Sequence, residues 1–266
     1  MLGKIEVGVA TSPGPRETNQ DRIFYKTGHI GGIGPSGDTG SSIGMPCGLF
    51  CVADGMGGLQ SGEYAASVVV NTLETWWDGD FRYLEPKGPK VLDAFFSIFK
   101  SINDTIRIQV QQEKARCGTT CSLLMIQGKN YYIAHAGDSR IYLIEHKFLT
   151  TVQQLTVDHT WAVDQAQIGK LSQHEIANNP KKDALTSCLG GFEQPTIFTK
   201  TGTIDRPCTF ILCSDGFYQA VGNREIVKFV KRYKDCNDLA EKLIGHALER
   251  GTRDNVSVVI ARNTEG

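Results

Sequence analysis

Residues 49–58, Leu49-Phe50-Cys51-Val52-Ala53-Asp54-Gly55-Met56-Gly57-Gly58, constrain the fold of this chain more than any other stretch. Five apolar or small residues run straight into a carboxylate and then into glycines. An uninterrupted apolar run bounded by a turn signal reads as a buried strand. Asp54 stands where that strand leaves the core. Gly55, Gly57 and Gly58 permit a sharp turn and a close backbone approach. Asp-Gly is also an ordinary hairpin turn, so this stretch alone leaves both readings open.

The chain repeats the device. Phe210-Ile211-Leu212-Cys213-Ser214-Asp215-Gly216 is a second apolar run ending in Asp-Gly, and residues 131–138 form a third that ends at Asp138. Asp21 precedes the strand-like Arg22-Ile23-Phe24-Tyr25, and Asp254-Asn255 precedes the apolar run 256–261. Five aspartates therefore stand at strand ends. If those ends meet at one edge of a core, the carboxylates cannot all stay ionised without compensation. A hard divalent cation with oxygen ligands, Mg²⁺ or Mn²⁺, supplies it.

Arg16-Glu17-Thr18-Asn19-Gln20-Asp21, Asp54-Gly55-Met56-Gly57-Gly58, Cys117-Gly118-Thr119-Thr120, Gly137-Asp138-Ser139-Arg140, Ser214-Asp215-Gly216 and Asp254-Asn255 follow one another in that order. The series resembles the metal-dependent PPM (PP2C-type) serine/threonine protein phosphatases in their bacterial form, over nearly the whole chain. The resemblance implies an α+β fold, a four-layer α-β-β-α sandwich of two antiparallel sheets flanked by helices. It implies one catalytic domain over residues 1–266, with a flap at about residues 158–195. It also implies two Mn²⁺ or Mg²⁺ ions and a third, weaker one. Asp54 would bridge the pair, Asp215 and Asp254 would hold one ion, and Asp21 and the Gly55 carbonyl would serve the other, largely through water. Asp138 would help bind the third with Asp215, the other reading being an aspartate that caps a turn. An activated water would attack phosphorus in line, with no covalent intermediate and no cysteine nucleophile.

Arg16 would clamp the phosphate, since arginine suits bidentate phosphate recognition. By itself it reads rather as a surface arginine in a solvated loop. Asn255, Gly118 and Thr119 would support the site. Met56 stands where some family members carry a histidine proposed as the acid for the leaving alkoxide. A thioether cannot donate a proton, so water must do so, and no acidic histidine limb is expected in the pH–rate curve.

A formal net charge of −1 argues against a bulk nucleic-acid or membrane-surface binder. No apolar stretch approaches the ~20 residues needed to cross a bilayer, and residues 1–7 lack a signal-peptide core. A cytoplasmic location is expected. The eight cysteines are expected as buried free thiols, because Cys51 and Cys213 lie inside apolar runs and no histidine stands at zinc-finger spacing. Neither Cys117 nor Cys188 opens a Cys-x5-Arg loop, against a tyrosine-phosphatase mechanism.

Between the motifs, residues 5–10 and 22–25 read as strands, and the glycine-rich residues 28–46 as a long hairpin loop without a phosphate-loop pattern. Ala65, Ala66, Val69, Leu73 and Trp76 stripe one helix. After a break around residues 78–89, Val91, Ala94, Phe95, Ile98, Phe99, Ile102 and Ile106 stripe another. Residues 121–126, 131–136 and 140–144 are closely spaced strands, expected to pair antiparallel. His135 reads as a core residue and Arg140 as a structural one that orients a carboxylate. Within residues 158–195, a helix over 161–168 precedes a short one capped by Ser172. Asn179-Pro180-Lys181-Lys182-Asp183 departs there from a basic, His-Pro-containing stretch of many relatives, which bears on substrate preference. A plain surface loop is the other reading of that segment. Strands over 195–198 and 210–213, a helix capped by Asn223 and a final helix striped by Leu239, Leu243, Ala247 and Leu248 complete the chain before the last strand. The expected partners are phosphoproteins, substrates of a Ser/Thr kinase, met by a monomer with no nucleic acid and no membrane insertion. A binding-only pseudo-phosphatase and a small-molecule phosphate hydrolase remain the alternatives.

Overall fold

In a computed structural model of the chain, which describes residues 4–30, 45–57, 61–79, 89–113, 117–146 and 150–264, the strands form two antiparallel sheets. One sheet holds β1 (Ile5–Ser12), β11 (Val256–Asn263), β10 (Cys208–Cys213), β7 (Arg140–Glu145) and β8 (Val152–Gln154), in that spatial order. The other holds β2 (Asp21–Ile30), β3 (Met45–Gly57), β5 (Cys121–Gln127), β6 (Asn130–Ala136) and β9 (Phe198–Thr203), and β4 (Cys117–Thr119) pairs with the end of β3.

Alternation along each strand sorts its side chains into separate cores. On β3, Leu49, Cys51 and Ala53 pack beneath helices while Phe50 and Val52 pack between the sheets. On β10 and β11, Ile211, Val258 and Ile260 face outward, and Phe210, Leu212, Val259 and Ala261 face the other sheet. Each central strand is thus buried on both faces, which is why its sequence is continuously apolar. Helices α1 (Ser61–Asp78) and α2 (Pro89–Glu113) cover the second sheet through Leu73, Phe95 and Phe99. Helices α6 (Asn223–Arg232) and α7 (Cys236–Glu249) cover the first through Ile226, Leu239 and Leu243. The result is the expected four-layer sandwich.

The same alternation delivers the polar residues. Asp54 continues the inward phase of Phe50 and Val52, Ser214 that of Phe210 and Leu212, and Ser257 that of Val259 and Ala261. Ser122 and His135, both fully buried, extend the inward phase of β5 and β6. The inter-sheet layer is therefore apolar along most of its length and polar at one end.

Several local expectations need correction. β6 and β7 do not pair; they belong to different sheets. Gly137, at φ 112°, carries the chain from one sheet to the other, and a Cβ there would stand 2.6 Å from Thr120 Cβ. Strand β3 does not turn at Gly55 but runs on to Gly57, because β4 pairs with this extension. Trp77, not Trp76, completes the buried stripe of α1. Residues 195–197 are not strand, and β9 begins at Phe198. Gly222, not Asn223, is the N-cap of α6, where Glu225 Oε2 accepts from the Gly222 N–H at 2.9 Å. Leu248 is 41% exposed rather than part of the α7 stripe. The middle of the glycine-rich connector (31–44), Gly58 and most of the break before α2 (80–88) lie outside the described residues. All eight cysteines are free and buried.

Candidate active site

Asp21 and Asp54 are direct partners in the β2–β3 ladder. Asp54 is fixed through its backbone: its N–H donates to Thr120 Oγ1 at 2.9 Å, and its carbonyl accepts from the Thr120 N–H at 2.9 Å and from Thr119 Oγ1 at 3.0 Å. Thr119 also exchanges two backbone hydrogen bonds with Leu189, each 2.9 Å, which tie the end of the 158–195 segment to the site. Gly55 is required by close approach rather than by a turn. A Cβ on it would stand 2.1 Å from the Gly62 carbonyl oxygen.

A hydrogen-bonded relay joins the two sheets at this end. The Ser257 N–H donates to Ser214 Oγ at 3.0 Å, and Ser214 Oγ donates to Asp21 Oδ2 at 2.7 Å. The next residue, Asp215, opens the short helix α5 (Asp215–Tyr218), and its Oδ2 accepts from Gln219 Nε2 at 2.9 Å. Asp254 accepts from Arg16 Nη2 at 2.8 Å, and Arg16 Nε donates to the Arg253 carbonyl at 3.1 Å. Asn255 holds the loop that carries Arg16. Its Oδ1 accepts from the Gln20 N–H at 2.8 Å, and its Nδ2 donates to the Pro13 and Thr18 carbonyls at 2.9 and 2.8 Å.

Arg16, Asp54, Asp215, Asp254 and Asn255 line one cleft of about 750 Å³, together with Asp138, Gly55, Met56, Thr120 and, from the 158–195 segment, Asp183 and Leu185. Asp21, 3% exposed, is buried behind this lining rather than part of it. That segment is therefore a wall of the cleft and not a remote loop. A wider groove of about 1010 Å³ between α1 and α2 is lined by no carboxylate among the described residues. Gly118 and Thr119, expected as support, act from behind: Thr119 holds the Asp54 carbonyl, and Gly118 lets Cys188 and Leu189 pack close.

The carboxylates perturb one another. Burial first, then Asp21, Asp215, Asp138 and Asp254, push Asp54 well above the usual carboxylate range. Burial raises Asp21 to about 6 against the lowering effect of hydrogen bonds from Ser257 and Ser214. Burial, with Asp215 and Asp158, raises Asp138 to about 7. Burial and Asp254 raise Asp215. Asp21 Oδ1 and Asp215 Oδ1 are buried without a hydrogen-bond partner. Clustered, mutually repelling oxygen donors with unsatisfied lone pairs fit a hard divalent cation. Among the described residues, no three His, Cys, Asp or Glu side chains stand close enough together to hold a metal ion by themselves.

Away from the cleft, Arg140 orients Asp158. Its Nη2 donates to Oδ2 at 2.6 Å, its Nε donates to both oxygens at 3.1 Å, and its guanidinium lies 3.6 Å over the Tyr218 ring. His135 is a core residue as expected, paired with Ser122 Oγ at 2.9 Å and stacked on His159. Sequence reasoning missed Ser214, Thr120 and Gln219 as positioning residues, and Asp183 as a lining residue. Thr120 and Ser214 stood inside motifs and Asp183 inside the departing stretch 179–183, each without a role assigned, and nothing in the sequence marked Gln219.

The protein phosphatase 2C profile matches residues 16–165 and 193–256. A serine/threonine phosphatase, stp, of Listeria monocytogenes is 26% identical over 91% of this chain and 92% of its own length. The structure of the Streptococcus agalactiae serine/threonine phosphatase is 25% identical, with a TM-score of 0.82 over 98% of this chain and all of that one. The catalytic domain of the serine/threonine phosphatase PstP, solved with 2 manganese ions, is 25% identical, with a TM-score of 0.74 over 98% of this chain and 99% of that one. The fold and its aspartate-lined cleft define a metal-dependent phosphohydrolase scaffold. This chain belongs to the protein phosphatase 2C family and is a serine/threonine phosphatase of the bacterial form.

Proposed function

We propose that the cleft removes phosphate from phosphoserine and phosphothreonine in proteins. The observation that carries this reading is the meeting of Asp21, Asp54, Asp138, Asp215 and Asp254 in one electrostatically coupled group beside Arg16. Asp54, Asp215 and Asp254, with Asp21 and the Gly55 carbonyl, would hold two Mn²⁺ or Mg²⁺ ions, and Asp138 with Asp215 a third. When bound, such ions supply Lewis acidity that activates water as the nucleophile and offsets phosphoryl charge.

The chain's own residues do the rest. Arg16, exposed at the mouth, grips the phosphate oxygens and offsets the charge that grows on them. Ser214 and Thr120 keep Asp21 and Asp54 in place. Asn255 holds the loop that carries Arg16. No histidine is among the described residues that line the cleft, and Met56 has no proton to give, so the leaving alkoxide takes its proton from water.

The cleft opens to solvent where Arg16 and Asp254 are 56% and 42% exposed. An open mouth of this kind favours a protein chain over an enclosed small molecule. We place the protein in the cytoplasm as a monomer that acts on the products of a Ser/Thr kinase. Free buried cysteines support a reducing compartment, and no described helix is long and apolar enough to cross a membrane. The test is release of phosphate from a phosphothreonine peptide in Mn²⁺. Chelator and Asp54→Asn should each abolish it, and release that persists in chelator would refute the metal-dependent reading.

A further inference from the structure

A second cavity, of about 420 Å³, adjoins the catalytic cleft. The two share Met56 and Gly57, at the end of β3, as a common wall. On its other sides stand Arg107 and Val110 of α2, and Cys188 and Gly191 at the return of the 158–195 segment.

The two spaces carry opposite charge. The described lining of the cleft sets Glu17, Asp54, Asp138, Asp183, Asp215 and Asp254 against Arg16. The described lining of the second cavity holds Arg107 and no carboxylate. Arg107 is half-buried and makes no hydrogen bond or ion pair with any described residue. The neighbouring Cys188 thiol is no anion for it, since burial raises that group to about 11. A half-buried guanidinium without a partner among the described residues is matched by a planar or tetrahedral oxyanion.

Building on the phosphoprotein reading above, we infer that Arg107 and this cavity form a substrate subsite for an acidic side chain flanking the phosphorylated residue. That side chain carries either a carboxylate or a second phosphoryl group. An extended peptide advances roughly 3.3–3.6 Å per residue, so a close neighbour of the phosphorylated residue passes over the Met56–Gly57 wall. Val110 and Met56 meet its methylenes, and Gly191 leaves room for them. Arg107 attracts the flanking charge, while the cleft, its carboxylates offset by the cations they would hold, takes the phosphoryl group of the reacting residue. Both effects favour the same direction of the chain across the site, as complementary fields do at protein interfaces.

The test uses phosphothreonine peptides that differ only in carrying Glu, Ala, Lys or a phosphonate mimic of phosphoserine at each flanking position in turn. The readout is the kcat/KM ratio of the Glu peptide to the Ala peptide within one preparation, so a partly unfolded variant does not distort it. The wild type is expected to favour Glu at one flanking position by roughly tenfold, the scale of one charge-assisted hydrogen bond. Arg107→Ala should bring the ratio close to unity, and Arg107→Glu should turn the preference toward Lys. A phosphonate that outperforms Glu identifies a doubly phosphorylated substrate, and parity identifies a carboxylate. A wild type with no flanking preference, or a preference that survives Arg107→Glu, overturns the subsite. A wild type inert in Mn²⁺ toward both these peptides and p-nitrophenyl phosphate overturns the hydrolase reading and the subsite with it.

Discussion

Asp21 and Asp54 lie directly opposite each other across the antiparallel pair of β2 and β3. Two carboxylates at facing positions repel, and here burial strengthens the effect. The pairing places negative charge where cations are to be held, at a cost to the metal-free fold.

That cost predicts a separation of stability from activity. Asp54→Asn keeps the side chain's shape and removes its charge. In chelator the variant should be more stable than the wild type, by on the order of 1 kcal/mol. Mn²⁺ should raise the Tm of the wild type by linkage and that of the variant far less. Thermal unfolding followed by circular dichroism, with and without chelator, measures both. A variant that is less stable in chelator would show that the carboxylates do not oppose one another.

Asp138 gives the pH dependence. Its carboxyl is raised to about 7 in the fold, above the ordinary carboxylate value of about 3.9. A raised folded value means that the native state holds the proton more tightly. The resulting stabilisation is fully present below the unfolded pKa and is lost as pH rises through about 7. Asp138→Asn removes this dependence. Tm in chelator should therefore favour the variant increasingly between pH ~4 and ~7 and level off above that. In the same variant, activity should fall at limiting Mn²⁺ while the fold stays intact. A Tm difference that does not change with pH, or an unchanged metal requirement, counts against the third site.

Arg16 is held by Asp254 and by the Arg253 carbonyl, with its guanidinium largely in solvent. If it grips phosphate, Arg16→Lys keeps the charge but loses the fork. The KM for a phosphothreonine peptide should rise and kcat/KM fall by roughly tenfold or more. The Mn²⁺ requirement should move the other way or not at all, because Arg16 places a cation against Asp254. A variant that needs more Mn²⁺ with KM unchanged would assign Arg16 to holding the metal ligand instead.

The aspartates were legible because each stands where an apolar run begins or stops, and alternation through residues 50, 52 and 54 already fixes which face Asp54 joins. Sheet membership was not legible. Short spacing between β6 and β7 read as pairing, whereas Gly137-Asp138-Ser139 crosses between sheets. Only the positive φ at Gly137 marks the crossing, and sequence does not print φ. Trp76 and Trp77 differ by one helical step, about 100°, and both fit the α1 stripe loosely. Ser214 and Thr120 stood inside motifs but carried no visible role, since their roles depend on partners in the opposite sheet or an adjacent strand. β8 is three residues long with two glutamines, too short and too polar to show a period.

Asn255 offers the sharpest test that the loop at residues 13–20 is built to present Arg16. The residue is 6% exposed and makes three hydrogen bonds to that loop, one as acceptor and two as donor. Asn255→Ala loses all of them, with an expected cost of roughly 2–4 kcal/mol at about 1 kcal/mol each. Asn255→Asp keeps the acceptor for the Gln20 N–H but turns the groups facing the Pro13 and Thr18 carbonyls into acceptors, so it should be no milder at neutral pH. A purely structural role would lower the fraction of active enzyme and leave KM alone. A positioning role raises KM for the phosphopeptide, and its penalty should not add to that of Arg16→Ala in the double variant, because both changes remove the same grip. Additive KM penalties, or a lowered Tm with KM unchanged, would leave Asn255 as a stabilising residue with no part in aiming Arg16.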